Sequence, residues 1–448
     1  MVNERTDRLK RAFSLNRNIR GLFIRPAHHE PVIDGFRAFA ILTVFAYHWL
    51  WSAQLFIADT YEQYLEYPIY IKWLERGETS VDLFFVVSGF LIGQLLFSEY
   101  QKRQTINLKR FFTRRFWRLM PIYWFALGAS VVGLLIAPGP NKVFDRAVKN
   151  NIEYVWSNLL YVNNFIEPQN QFFGHAWSLA VEEQFYFIFP FLILGFFKFN
   201  LYKAPIRSIL GVLALYGIAR GGAQCYALEV MVRECGSPVA QSLAELEKNH
   251  LTSFVSDLNY CLGLYQWDYV YDNMYTKFVT LFAGVVAGYM QVFSKAHLET
   301  FFLRPVAPNV CGVLALSGFW IGFFDLFLIT DPLMLRVFRS FFSQTIFSFG
   351  TAYLILFCIY SKGRFARSLG RVLGARLFYV IAQLSYSMYL FHIVIILGVY
   401  QLMMDASPGL TLTQLIESAA PITLVLTLVF SAGTYLFIEK PFMNFRKD

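Results

Sequence analysis

The stretch Ser80–Phe97, SVDLFFVVSGFLIGQLLF, decides the fold class, because Asp82 is its single charged residue. An α-helix needs roughly 20 apolar residues to cross the hydrocarbon core of a bilayer. Similar runs recur along the chain, which is 56% hydrophobic and 15% charged, whereas soluble domains are about a quarter charged. The sequence therefore predicts an integral membrane protein built from helices.

Ten runs of this kind predict one all-α membrane domain over residues 35–442, a bundle of about ten transmembrane helices. The predicted spans are 35–57, 80–97, 121–137, 178–197, 208–219, 275–293, 310–330, 342–360, 378–403 and 420–438. A basic tail, residues 1–34, precedes this domain, and a short tail, residues 443–448, follows it. No cleavable signal peptide is expected, because the first tail stays polar until the first span.

The positions of the basic residues determine the expected orientation. These residues cluster in the first tail, after the second, fourth, sixth and eighth spans, and at the end of the chain. Since basic loops stay in the cytoplasm, both termini are expected there, which requires an even number of spans. Membrane topology thus accounts for the net charge of +9, and nucleic acid is not an expected partner.

Two predicted outer loops, residues 138–177 and 220–274, are longer than ordinary connections, and long loops are often binding elements. Both mix tyrosine and tryptophan with amides and carboxylates, which suits sugars but equally describes the aromatic belt of a membrane interface. Cys225, Cys235 and Cys261 of the second loop permit at most one disulfide among them. No metal site is expected, because the other two cysteines have no histidine at ligand spacing.

Arg37 and His48 are polar residues in the otherwise apolar first span. Ionisable side chains within the bilayer are costly, so they face the interior of a bundle and often mark a functional site. Eleven helical residues turn through about 1100°, close to three full turns, and rise about 16 Å. Both side chains are therefore expected on one helix face, with Arg37 at the cytoplasmic mouth, suited to a phosphate, and His48 deeper. An interface anchor and a satisfied core histidine are the ordinary alternatives.

Carboxylates open two further spans. Asp82 begins the second span, ahead of Ser88-Gly89, which is small enough for close helix packing. Glu182 and Glu183 begin the fourth span, directly after the first outer loop. Adjacent helical residues point about 100° apart, so at most one of the two glutamates can address a given cavity. Helix capping is the ordinary alternative for them.

Several segments together closely resemble the acyltransferase family 3 membrane proteins. They are the Arg37 and His48 pair, residues 80–92, 110–123, 174–186, 384–392 and 439–442, which follow one another in the order typical of that family. The resemblance implies a multi-pass enzyme of the cell membrane that uses acyl-CoA, with acetyl-CoA expected, from the cytoplasm. It implies as acceptor a hydroxyl of a cell-surface or exported glycan, such as lipopolysaccharide or peptidoglycan. A small secondary metabolite is the alternative acceptor.

Carried onto this chain, the resemblance makes Arg37 and His48 the catalytic pair. The residues implied for the donor are Arg37, Arg110, Arg114, Arg115, Arg118 and Ser88, and those implied for the acceptor are Trp177, Asp82 and Tyr186. Positive-inside anchoring is the alternative for the four arginines that follow the second span.

Acyl transfer from a thioester to a hydroxyl needs a base for the hydroxyl proton, and His48 is the candidate. Glu182 or Glu183 is expected to fix its tautomer. Direct transfer and an acyl-His48 intermediate both remain open. A transporter is the competing class, but the second half of the chain holds no copy of the first-half motifs, which repeat-built carriers show.

Overall fold

The computed structural model describes residues 10–27, 29–57, 67–74, 77, 79–136, 151–245, 271–324 and 333–445, and every regular element in them is helical. The helices are α1 (Leu15–Phe23), α2 (Pro31–Gln54), α3 (Ile69–Leu74), α4 (Ser80–Arg103), α5 (Leu108–Ile136), α6 (Val155–Leu159), α7 (Trp177–Lys198), α8 (Pro205–Glu245), α9 (Met274–Phe293), α10 (Lys295–Phe302), α11 (Ala307–Phe324), α12 (Leu333–Tyr360), α13 (Arg364–Leu373), α14 (Arg376–Ala406), α15 (Leu412–Thr434) and α16 (Lys440–Phe445). A π-helical turn, Tyr435–Glu439, joins α15 to α16.

Seven helical stretches in the described residues are long and apolar enough to cross a membrane, so the chain is a multi-pass integral membrane protein. They are Ser80–Arg103, Gly174–Lys198, Pro205–Ala227, Met274–Phe293, Phe342–Tyr360, Arg376–Ala406 and Leu412–Phe445. Helices α10 and α11, bent by 97°, add an eighth if they form one span. Each of the ten predicted spans overlaps a helix, but those at 35–57 and 121–137 are outside the seven stretches, and the one at 310–330 overlaps only the bent pair. The count of ten and the orientation of the termini therefore remain predictions.

The chain divides into two compact units. The first comprises Met1–Lys149, Ala283–Leu326 and Ile346–Asp448, and the second comprises Asn150–Phe282 and Phe327–Thr345. The first unit contains α2, the helix of the predicted catalytic pair, and the second contains α7, which begins at the predicted acceptor residue Trp177.

Helix α2 is the centre of the first unit, where it packs against α4, α13, α14 and α15. Ala38, Ile41 and Phe45 on this helix are completely buried. Because neighbouring helices rather than lipid surround α2, this helix tolerates Arg37 and His48 within its length.

Helices α4 and α9 pack closely in the first unit. A Cβ atom added at Gly284 of α9 would lie 2.0 Å from the carbonyl oxygen of Val86, and one added at Gly288 would lie 2.8 Å from the backbone nitrogen of Gln94. Small residues four positions apart let two helix backbones approach each other in this way. The sequence predicts close packing around Ser88-Gly89 of α4, and the tightest approaches are at these two glycines of α9.

Helix α8 corrects the predicted end of the fifth span. The sequence predicts a span over 208–219 and an outer loop from residue 220, whereas α8 continues to Glu245. Residues 223–233 are mostly helix formers and include no proline, so the helix continues past residue 220; it then extends over Gly236 and Pro238 as well.

The two predicted outer loops are described in part. Residues 151–176 form short helical turns that include α6. Residues 138–150 and 246–270 lie outside the described residues. Cys261 belongs to the second of these ranges, so the predicted disulfide among Cys225, Cys235 and Cys261 falls partly outside the described residues.

Candidate active site

A cavity of about 650 Å³ lies in the first unit. Its walls come from α1 and the segment that follows it, the beginning of α2, the second half of α4, the first half of α5, the beginning of α14 and α16. The α4 wall uses Leu91, Leu95 and Ser98, whose spacing of three and four residues places them on one helix face.

Positive charge dominates the lining of this cavity. All five arginines predicted to bind the donor line it, namely Arg37, Arg110, Arg114, Arg115 and Arg118. Three of them recur every fourth residue on α5 and so lie on one face of that helix. Lys440 adds a sixth cation, and Glu99 is the single carboxylate of the described lining. The cavity is therefore suited to a ligand that carries several negative charges.

Arg37 lies where the cavity meets the core of the bundle. Its Nη2 donates a hydrogen bond of 2.9 Å to the hydroxyl of Ser385 on α14. The buried carboxylate of Glu439 interacts electrostatically with Arg37 and Arg118, and it accepts a hydrogen bond of 2.8 Å from Ser387. Helix α14 and the end of the chain thus hold these guanidinium groups at the inner wall.

His48 pairs with a second histidine, His392 of α14. The Nδ1 atom of His48 lies 3.1 Å from Nε2 of His392, and the ring centroids are 4.7 Å apart. His48 is half-buried, with the rings of Tyr47 and Trp51 beside it, whereas His392 is completely buried. Two imidazoles at this distance can share a hydrogen bond, since each neutral ring carries both a donor and an acceptor nitrogen.

Backbone carbonyls assign the tautomers of this pair. Nδ1 of His392 lies 2.8 Å from the carbonyl oxygen of Tyr389, so it carries the proton and leaves Nε2 as an acceptor. Nδ1 of His48 lies 2.8 Å from the carbonyl oxygen of Val44 and donates both to it and to His392. The unprotonated nitrogen of His48 is therefore Nε2, which is the atom that a general base requires.

A family model described as an acyltransferase domain matches residues 30–438, which is nearly the whole chain. The chain belongs to acyltransferase family 3. The matched range thus includes all five arginines of the cavity and both histidines, whereas the lining residues from the segment before α2 and from α16 lie outside it.

Curated relatives of this acyltransferase family 3 protein are O-acetyltransferases according to their names. O-acetyltransferase OatA of Staphylococcus aureus strain NCTC 8325 is 27% identical over 417 residues, which are 92% of this chain and 57% of that protein. Peptidoglycan O-acetyltransferase OatA of Listeria monocytogenes is 32% identical over 177 residues, 38% of this chain and 25% of that protein. The chain spans little more than half the length of the S. aureus relative. No solved structure matches it.

Two predicted site residues of this acyltransferase family 3 protein lie in α4 but outside the cavity lining. Ser88 is 8% exposed and continues the face of Leu91 one turn deeper into the bundle. Asp82 is 5% exposed, at the beginning of α4. Their expected contacts with donor and acceptor remain predictions.

The other predicted residues, Glu182, Glu183, Trp177 and Tyr186, lie together at the beginning of α7 in the second unit. Glu182 accepts a hydrogen bond from the hydroxyl of Tyr186 one turn later. Trp177 is buried, and its ring centroid is 5.1 Å from that of Tyr271. The expected pairing of Glu182 or Glu183 with His48 is still a prediction.

His392, Ser385 and Glu439 are site residues that the sequence analysis does not single out. Each lies in a segment that carries the family resemblance, and a second histidine within an apolar span was the available signal. In the described ranges, no group of three or more His, Cys, Asp or Glu side chains could hold a metal ion.

Proposed function

We propose that this protein transfers an acetyl group from acetyl-CoA to a hydroxyl of a cell-surface glycan. The donor would bind in the arginine-lined cavity, and the chemistry would occur at His48. Membership of acyltransferase family 3 supports the acyl transfer. The cationic lining supports a donor that carries phosphates.

The arrangement along α2 is the observation that carries the proposal. Arg37 lines the cavity, and His48, which is not part of that lining, follows eleven residues later on the same helix, about 16 Å along the axis at the usual helical rise. Arg37 is thus too far from His48 to act on the same atom. The phosphates of CoA would bind the arginines of α5, and the extended pantetheine arm would carry the thioester from Arg37 toward His48.

In direct transfer, Nε2 of His48 takes the proton of the acceptor hydroxyl as its oxygen attacks the thioester carbonyl carbon. The new C–O bond forms, the C–S bond breaks, and the proton passes from His48 to the thiolate of CoA. His392 accepts the Nδ1–H bond of His48 throughout, so it stabilises the charge that develops on that ring.

A covalent route uses the same atoms. Nε2 of His48 attacks the thioester carbonyl carbon, the C–S bond breaks, and CoA leaves as the thiolate, which gives an acyl-imidazolium on His48. The acceptor oxygen then attacks the acyl carbon, the C–N bond breaks, and the hydroxyl proton passes to the thiolate of CoA, so that His48 returns to its neutral form. Acid quenching of the enzyme with labelled acetyl-CoA and no acceptor separates the routes, because the covalent route leaves label on the protein.

The names of the relatives support a glycan acceptor, since they are O-acetyltransferases and, in the Listeria case, act on peptidoglycan. The side chain of Gln184 in α7 donates hydrogen bonds to the side chain of Asn164 and the backbone of Tyr161, so α7 holds the segment that precedes it. Trp177 and Tyr186 are buried, so we propose them as packing behind an acceptor surface.

The test uses the purified full chain in lipid nanodiscs with labelled acetyl-CoA. Peptidoglycan fragments, other glycans and small alcohols are offered as acceptors, and CoA release is measured beside the mass of the product. A glycan heavier by one acetyl group, with equal release of CoA, is the expected result. Absence of transfer from acetyl-CoA to every hydroxyl acceptor would reject the donor assignment. Uptake of a solute into vesicles without CoA release would favour a transporter instead.

A further inference from the structure

We infer that the N-terminal segment of the chain is a wall of the donor cavity and sets the affinity for the donor. This segment, residues 15–27 together with His29, is called the N-terminal strap below. By sequence alone it belongs to a basic tail. The inference rests on the proposed donor site and extends it to residues that precede the membrane domain.

Helix α1 anchors the strap on the end of the chain. Asn18 and Leu22, one turn apart, are 1% and 2% exposed and form its docked face. The side-chain amide of Asn18 donates to the carbonyl of Leu436 at 3.1 Å and accepts from the amide of Asn444 at 3.0 Å. A buried amide with both of its groups bonded fixes the position of α1, because any displacement leaves polar atoms unpaired.

The strap then passes along the cavity. Gly21, Ile24, Pro26 and His29 are part of its lining. The hydroxyl of Tyr379, which also lines the cavity, lies 2.9 Å from the carbonyl oxygen of Gly21 and 3.1 Å from that of Ile24. The strap and α14 therefore form a continuous wall.

Asp34 fastens the far end of the strap to α2. Its carboxylate is completely buried, and it accepts hydrogen bonds from Nε of Arg25 at 2.9 Å and from Nε2 of His29 at 2.7 Å. Arg25 also donates to the carbonyl of Gly374 at 3.0 Å. A buried carboxylate without partners is strongly unfavourable, so Asp34 holds the strap in place.

These contacts define what the strap contributes. Arg25 is paired with Asp34, and the lining residues that the strap provides include no arginine or lysine, so the strap shapes the cavity without adding such a charge to it. Asp34 lies three residues before Arg37 on α2, so the strap is also tied to the helix that carries the predicted catalytic pair. Loosening the strap should weaken binding of the nucleotide end of the donor and leave the reacting end unaffected.

The test compares Asn18→Ala with Asn16→Ala, the same substitution on the exposed face of α1. Loss of the buried amide bonds should raise KM for acetyl-CoA about tenfold with kcat unchanged. KM for acetyl-pantetheine, which lacks the nucleotide, should not change. Asn16→Ala should behave as wild type with both donors. An unchanged KM for acetyl-CoA in Asn18→Ala would overturn the inference.

A second measurement needs no variant, in case Asn18→Ala does not fold. Trypsin cleavage after Arg20 and Arg25 of the wild-type protein is followed with and without saturating CoA. CoA should slow cleavage in the strap relative to the exposed Arg103, and pantetheine should not. Equal rates with and without CoA would contradict the inference.

Arg114→Ala separates this inference from the donor site on which it rests. If Arg114→Ala binds CoA like the wild type, the donor site itself is wrong. If Arg114→Ala weakens CoA binding and Asn18→Ala does not, the donor site stands and the strap has no part in it.

Discussion

The two ends of α2 differ in the kind of polar site they form. At one end, Arg37 shares a cavity of about 650 Å³ with four further arginines and Lys440. At the other end, His48 is packed between aromatic rings and bonded to a second imidazole. The first end suits a ligand with several negative charges, and the second suits proton transfer. Donor binding and chemistry are thus separated along one helix, and variants of the two ends should alter different kinetic constants.

His48→Ala should have the largest effect. The substitution removes the base, and a positioned general base contributes about 10²- to 10⁴-fold, so kcat should fall by that factor. Acetyl transfer from labelled acetyl-CoA to the glycan measures it, and a melting curve equal to that of the wild type controls for folding. Near-normal turnover in this variant would remove His48 from the chemistry.

His392→Leu should have the next largest effect, also on kcat. The leucine removes one of the two acceptors of Nδ1–H of His48 and leaves the carbonyl oxygen of Val44 as the other. A hydrogen bond to a charged group, here the imidazolium that forms on His48 during the reaction, is worth about 1.5–3 kcal/mol, or about 10- to 150-fold in rate. His392→Gln, which keeps an acceptor group, should recover part of the rate. If KM for acetyl-CoA rises instead while kcat is unchanged, the histidine pair contributes to donor binding, and the separation of binding from chemistry along α2 is wrong.

Arg114→Ala should change KM for acetyl-CoA rather than kcat. Loss of a charge-assisted hydrogen bond to a phosphate costs about 1.5–3 kcal/mol, so KM for acetyl-CoA should rise by about ten- to a hundredfold with little change in kcat. Lys109→Ala is the matched control, because Lys109 is exposed on the same helix and outside the cavity lining. Equal KM values for the two variants would refute a specific role for the cavity.

Added salt should have the smallest effect and should also distinguish the two ends. Raising the ionic strength from about 0.1 M to about 1 M shortens the Debye length from about 10 Å to about 3 Å, which weakens the attraction between arginines and phosphates. KM for acetyl-CoA should rise a few-fold, whereas kcat at saturating donor should not change. A fall in kcat without a change in KM would contradict the separation of the two sites.

Local spacing explains why the arginine cluster could be predicted. Arg110, Arg114 and Arg118 share a helix face because of their interval, and Arg37 and His48 share one for the same reason. Such patterns are contained in a single helix, so they are readable before any packing is known. The all-helical fold follows equally from the long apolar runs.

Packing between distant segments explains what the sequence did not reveal. His392 meets His48 across 344 residues of chain, and Asn18 meets Leu436 across 418. Periodicity tells which face of a helix is buried but not which helix covers that face. The sequence therefore indicates only a basic tail for the strap, and it assigns His392 to a motif without giving that residue a role. The predicted partners of His48, Glu182 and Glu183, lie in the second unit, and their role is open to the same kinetic tests.

Equilibrium binding of CoA to the full chain in nanodiscs, measured by calorimetry for the wild type, His48→Ala and Arg114→Ala, tests the separation of binding from chemistry most directly. His48→Ala should bind CoA with the affinity of the wild type although it is inactive, and Arg114→Ala should bind CoA more weakly by about tenfold or more. Loss of CoA binding in His48→Ala, or wild-type affinity in Arg114→Ala, would contradict this separation.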